Sequence, residues 1–185
     1  MKRVTLFFLF FITSVILHSQ GLFPYQDRNE NKYGFRNKEN VVIIEPEYNY
    51  AADFHEGFAV VENNGKYGFI DPSGRLVIPM KYDEASEFSE GMAVVAIGEK
   101  ENRRYGYINQ AGKDIIPQKY NRAQNMKNGM AGVMLGNKWG YINKKGKEVI
   151  GFKYDGAQNF FDEYAAVNLG GEYSASYQKA IGGKW

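Results

Sequence analysis

The chain has 185 residues, with 23 Lys and Arg against 21 Asp and Glu, two His and no Cys. That length suits one modest domain, and the absence of cysteine excludes disulfides, thiol chemistry, thiolate-bound metals and an N-terminal lipidated cysteine. The near-balanced charge lacks the basic excess or stripe that nucleic-acid binders usually carry, so no nucleic-acid partner is expected.

The first element is a segment to set aside. Lys2 and Arg3 precede an apolar run from Leu6 to Leu17, and Ser19 is a small residue suited to cleavage. Residues 1–19 read as a secretory signal peptide, and the apolar run is short for a membrane span. Export to the periplasm, cell surface or medium is expected, with no stable membrane insertion after cleavage. Losing Lys2 and Arg3 takes the basic count from 23 to 21, equal to the 21 acidic residues. Residues 20–31 follow as an N-terminal cap: Leu22-Phe23-Pro24-Tyr25 is a strand expected to pair with Tyr33 to Arg36.

From residue 32 one phrase recurs: Tyr33-Gly34-Phe35, Tyr67-Gly68-Phe69, Tyr105-Gly106-Tyr107 and Trp139-Gly140-Tyr141, at spacings of 34, 38 and 34. A fixed period of this size marks a repeat architecture. With the first aromatic as position 0, position 11 holds Ile44, Ile78, Ile116 and Ile150. Position 15 holds Tyr48, Tyr82, Tyr120 and Tyr154, and position 18 holds Ala51, Ala85, Ala123 and Ala157. Position 28 holds Val61, Val95, Val133 and Val167. The copies are residues 32–65, 66–103, 104–137 and 138–184. Gly183-Lys184-Trp185 resembles the opening Lys138-Trp139, so a fifth copy is expected to begin at 185 and the chain reads as truncated there.

The second copy shows the elements. Lys66 to Ile70 is rich in aromatic and branched residues and reads as a strand. A glycine inside a strand weakens it unless something needs the space. A neighbouring ring or backbone is therefore expected over Gly34, Gly68, Gly106 and Gly140. Asp71-Pro72-Ser73-Gly74 suits a type I turn ending in a left-handed residue, a place taken by Asn40 in the first copy. Leu76 to Ile78 is the second strand, stopped by Pro79. A polar connector carries the Tyr and Ala columns, and Met92 to Val95 is a third, buried strand. Asn64-Gly65 turns the first copy back toward the next aromatic-glycine strand.

Each copy thus reads as a three-stranded antiparallel meander, too small to bury its own apolar faces and stabilised by stacking on its neighbours. The fold class is all-β, a tandem repeat of four such units in an open, curved or superhelical array. A propeller-like closed ring is the alternative. Length varies only in the hairpin after the third strand, at Gly98 to Arg104 and Leu169 to Gly183. Insertions in repeat proteins collect on one rim, which makes Arg103, Arg104, Tyr173 and Tyr177 the candidate binding residues.

Catalytic chemistry is not evident. His18 lies in the signal and His55 occurs in one copy only. No His, Cys or carboxylate spacing suits a metal, and no nucleotide or nucleophile motif occurs, so no cofactor is expected. The tyrosines at position 15 could stack on sugars or peptide. Packing between repeats explains them better, because every copy carries one.

Lys138-Trp139-Gly140-Tyr141-Ile142-Asn143 and Phe88-Ser89-Glu90-Gly91-Met92-Ala93-Val94-Val95 resemble the opening and close of the WG-repeat family, also called KWG repeats, across about residues 32 to 169. Three copies carry Tyr in place of the opening Trp. The resemblance implies an exported bacterial repeat protein and brings no catalytic residues. The expected function is a non-enzymatic binding or scaffold module for protein or glycan at the cell envelope. The alternative is an accessory module of an exported enzyme whose catalytic domain lies beyond Trp185.

Overall fold

A computed structural model describes residues 21–160, 164–170 and 176–179. Residues 1–19, expected to be a signal peptide, and Tyr173 and Trp185 lie outside the described residues. Among those described, every regular element is a strand. The first sheet is β1 (Phe23–Asp27), β2 (Lys32–Arg36) and β3 (Val42–Tyr48). The second is β4 (Tyr50–His55), β5 (Phe58–Asn63), β6 (Lys66–Ile70) and β7 (Leu76–Tyr82). The third is β8 (Glu84–Ala85), β9 (Met92–Ile97), β10 (Arg104–Asn109) and β11 (Asp114–Tyr120). The fourth is β12 (Arg122–Ala123), β13 (Met130–Leu135), β14 (Lys138–Asn143) and β15 (Glu148–Tyr154). The fifth is β16 (Gly156–Ala157), β17 (Tyr164–Asn168) and β18 (Ser176–Lys179). All pairings are antiparallel meanders, and no sheet closes into a barrel.

The sheets are offset from the sequence copies. β4 and β5 come from the first copy, β6 and β7 from the second, so one hydrogen-bonded unit straddles the copy boundary. The connector is also more than a link. Its start contributes a strand, with Ala51, Ala85, Ala123 and Ala157 paired to the position-28 valines. The three-stranded meander thereby gains a fourth strand, only two residues long at β8, β12 and β16.

Nor does Pro79 stop the second strand. β7 runs through it as a bulge: Phe69 faces Ile78 and Tyr67 faces Tyr82, leaving Pro79 to Lys81 opposite Gly68 alone. Proline has no N–H to lose at a bulge on an edge strand. The bulged backbone folds over the glycine. A Cβ on Gly68 would stand 2.7 Å from Ile78 O, and one on Gly106 would stand 2.7 Å from Gln118 N. The cover expected over this column is therefore backbone, supplied by the next strand of the same sheet rather than by a neighbouring layer.

The apolar core is divided into four clusters, each between successive sheets. Phe69, Ile78 and Tyr82 of the second sheet, for example, pack with Ala93, Val95 and Ile108 of the third. Tyr48, Tyr82, Tyr120 and Tyr154 are all buried, only 1–3% exposed. They are core residues, not a stacking surface. At position 2 the third and fourth copies carry Tyr107 and Tyr141, whose hydroxyls donate to the Gln124 and Gln158 carbonyls at 2.7 Å. Burial pushes both hydroxyls up, so they remain protonated donors.

Two recurring contacts tie copy to copy. The turn glycine of one copy sits on the isoleucine of the preceding one: a Cβ on Gly74, Gly112 or Gly146 would lie 3.2–3.3 Å from Cγ1 of Ile44, Ile78 or Ile116. Their positive φ values, 82, 71 and 75°, and that of Asn40, 61°, match the left-handed turn residue. The second contact runs through Glu-Gly turns. Glu56 and Glu90 hold φ of 52 and 55°, a costly conformation for glutamate. The Glu56 carboxylate accepts the Gly91 N–H at 2.9 Å, and that of Glu90 accepts the Gly129 N–H at 2.9 Å, each one copy on. Burial alone would push Glu90 up, but the Gly129 N–H, Lys144 and the Asn128 N–H hold it below the usual carboxylate range.

Side-chain sizes compensate across strands. Ser86 faces Val94, whereas Gln124 faces Gly132, and the Gln124 amide fills the space a side chain there would need while donating to the Ala157 carbonyl at 2.8 Å.

Two outcomes follow. Gly106→Val should destabilise by about 1–3 kcal/mol, since backbone cannot step aside as a side-chain tip can. At about 2–4 °C per kcal/mol for a chain of this size, thermal denaturation should show Tm several degrees lower despite valine's higher strand propensity. Gly132→Val should also destabilise, yet Gln124→Ser combined with it recreates the second copy's pair. A double-mutant cycle should return a favourable coupling of about 0.5–3 kcal/mol; additive effects would show that the two sites do not share space.

Candidate functional site

Residues directly paired across antiparallel strands point to the same face. The register lines up Tyr50, Glu62 and Tyr67 in the second sheet, then Glu84, Ala96 and Tyr105 in the third, and Arg122, Met134 and Trp139 in the fourth. Positions 0 and 17 of the repeat therefore alternate along one rim: Tyr33, Tyr50, Tyr67, Glu84, Tyr105, Arg122, Trp139. Tyr50 is 45% exposed, and its ring centroid lies 6.3 Å from those of Tyr33 and Tyr67. The Tyr105 hydroxyl donates to Glu84 at 2.7 Å, with its own ionisation pushed up first by burial and then by that carboxylate.

On this rim the Gly98 to Arg104 insertion forms one wall of a cleft of about 640 Å³ between the second and third copies. Tyr67, Tyr105, Arg103, Arg104 and Arg122 line it, together with Asp83, Glu84 and the loop residues Lys100 and Glu101. The cleft contains both candidate arginines of the insertion. Arg103 is engaged: its guanidinium donates to Glu84 at 2.9 Å and to the Gly98 carbonyl at 3.3 Å. Tyr177 lies on β18, opposite Ala166, in the last sheet and away from this cleft.

Arg104 differs from its counterparts. The residue before each opening aromatic is Lys32, Lys66, Arg104 or Lys138, and position 16 is Asn49, Asp83, Asn121 or Asp155. The two columns bond to each other as Lys32–Asn49, Lys66–Asp83 and Lys138–Asp155. In the third copy they do not. Arg104 donates only to the Arg103 carbonyl, at 3.0 Å, and Asn121 accepts the Gly136 N–H at 2.8 Å. Among the described residues neither Arg104 nor Arg122 has a carboxylate within ion-pair reach. Two guanidiniums thus stand unneutralised beside the aromatic row.

The insertion is legible in the sequence; the row is not. Tyr50, Glu84 and Arg122 belong to a variable column, and only the strand register shows that it lies beside the opening aromatics. The broken pair was visible as Arg and Asn where the other copies have Lys and Asp or Asn. His55 contacts Glu87 of the next copy at 3.1 Å on the surface. No group of three or more His, Asp or Glu suited to a metal occurs among the described residues.

Fold and rim together define a tandem β-repeat protein whose copies share one core plan and differ along an exposed edge. The WG-containing repeat pattern matches residues 33–67, 67–100, 105–139 and 139–173, and the chain belongs to that family. No match to an individual curated protein is found.

The rim pairs also set an acid response. Asp83 is held below the usual carboxylate range by Lys66 and then by the Gly98 N–H, and Asp155 likewise by Lys138 and the Gly170 N–H. A carboxylate with a lowered folded pKa stabilises above its unfolded value, about 3.9 for Asp, and that contribution disappears as pH falls through the folded value. Tm should therefore hold between about pH 7 and 5 and fall below about pH 4. Asp83→Asn should start lower at neutral pH and lose less on acidification; an unchanged acid limb would remove Asp83 from this response.

Proposed function

We propose that this protein is a non-enzymatic binding module that takes a protein or glycan ligand on the rim around the cleft between its second and third copies, at the bacterial cell envelope. One observation carries the reading: among the described residues the copy that drops the Lys–Asp/Asn bond is the third, which directly follows the second copy's extended hairpin, so an open cleft and two arginines without a carboxylate partner coincide. A repeat under purely structural demands gains nothing from either change. Two of the three carboxylates that line the cleft are engaged, which supports a binding role over a catalytic one. Asp83 is tied to Lys66, and Glu84 is occupied by Arg103 and Tyr105. A general base needs a free lone pair aimed at a substrate proton. The basic, apolar N-terminal segment supports export, which places the rim where envelope polymers are its neighbours.

Deleting residues 99–102 restores the 34-residue spacing and leaves Gly98-Arg103 as a two-residue hairpin like Gly136-Asn137. The purified parent, immobilised and exposed to soluble envelope protein and polysaccharide fractions, should retain a component that the shortened variant does not, while the two melt within a few degrees of each other. Equal retention by both would move binding away from the cleft.

A further inference from the structure

Resting on that reading of the rim, we propose that the ligand is a polysaccharide bearing carboxylate groups, held with sugar faces on the Tyr33–Tyr50–Tyr67 row and a carboxylate between Arg104 and Arg122. The row supplies the first half. Three rings follow one another at 6.3 Å between centroids, with the middle one 45% exposed, and Tyr67 continues the row into the cleft. Such rings combine an apolar face with a polar tip at little cost in side-chain entropy, which suits a ligand of alternating C–H faces and hydroxyls. Neighbouring Glu62, paired between Tyr50 and Tyr67, adds a carboxylate acceptor for those hydroxyls.

The second half comes from the guanidiniums. Planar, always-charged arginines bind carboxylates through paired hydrogen bonds that lysine cannot reproduce. The third copy has arginine where the other three have lysine, and its position-16 residue is the neutral Asn121. The change frees the charge without disturbing the hairpin, because Asn121 still accepts the Gly136 N–H just as Asp83 and Asp155 accept those of Gly98 and Gly170. β10 and β12, which carry Arg104 and Arg122, lie against each other across the sheet boundary, and both arginines line the one cleft where the carboxylate would sit.

Charge density separates this ligand from a nucleic acid. Asp83, Glu84 and Glu101 share the cleft with its cations. A phosphodiester at every nucleotide would meet them repeatedly, and nucleic-acid sites instead carry a continuous basic track. A polymer with carboxylates on separate sugars places its charge at the arginines and neutral rings elsewhere.

The decisive variant is Arg104→Lys with Asn121→Asp, which installs the ion pair already present in the second and fourth copies and should preserve the fold. Affinity electrophoresis and calorimetry with the purified chain would use polygalacturonate, its methyl-esterified form and single-stranded DNA as probes. Polygalacturonate should bind with salt-sensitive affinity, and the ester at least about 10-fold more weakly, as expected for a lost charge-assisted contact. The double variant should lose a similar factor with unchanged Tm, and Tyr50→Ala should weaken both polymers. Parent-like affinity in the double variant, equal binding of acid and ester, or tighter binding of DNA would each overturn the proposal. If neither polysaccharide binds while the 99–102 deletion still abolishes retention of an envelope component, the carboxylate-glycan assignment fails and the binding rim stands. If that deletion changes nothing either, both fail.

Discussion

The backbone from Ile78 to Met80 lies over Gly68 so closely that no side chain fits between, and the same approach recurs at Gly34, Gly106 and Gly140. Much of the molecule follows from it. The approach is made by a bulge, and a bulge bends its strand and sharpens the twist. The bend brings the position-15 tyrosine back into register opposite the opening aromatic, with its ring buried. It also turns the chain off the sheet edge, so that the next residues pair in the following sheet as β8, β12 or β16. One missing side chain thus permits the bend that hands the chain from sheet to sheet.

Stability is consequently shared. Each apolar cluster lies between two sheets, so no sheet completes a core alone. The isoleucine-on-glycine contact fixes how closely copies approach, and the Glu-Gly turns fix their rotation by bonding each carboxylate to the next copy's backbone. A left-handed glutamate would be a liability in an isolated hairpin; Asn or Asp is the ordinary choice at such a turn. Here its longer reach is what crosses the gap between copies, and the hydrogen bonds offset the backbone cost. This is nearest-neighbour coupling, as expected of tandem repeats.

The period, the aromatic-glycine strands, the turn with its left-handed Asn40 and the buried tyrosine column were all legible in the sequence, because each depends on residues within a few positions or on identity between copies. Pro79 misled because proline is read as a strand stop, while on an edge strand at a bulge it costs no ladder hydrogen bond. The short connector strands were missed because two residues carry no periodicity. The rim row was missed for a deeper reason: its members are 17 or 21 residues apart in sequence and become neighbours only when one copy's connector pairs with its third strand, which in turn pairs with the next copy's opening strand. No local pattern contains that information, although the alternation of positions 0 and 17 follows at once when the register is known.

The same geometry explains how one edge can specialise while the fold persists. Position 16 does two jobs in the second and fourth copies: it caps the N–H of the hairpin glycine and it binds the lysine before the opening aromatic. Asn121 keeps the first and gives up the second. The cap joins the hairpin to the connector through a backbone donor, so it is the contact that holds the turn in place. The ion pair is a surface contact, worth at most about 1 kcal/mol, and can be surrendered with little effect on the fold. Position 17 is freer still, holding Tyr50, Glu84, Arg122 and Gly156 in turn. The columns that vary are those whose side chains leave the backbone fully satisfied whatever they are. Chemistry therefore accumulates along this rim without a folding penalty, and the third copy, with its arginines released beside an extended hairpin, is where that freedom has been used most.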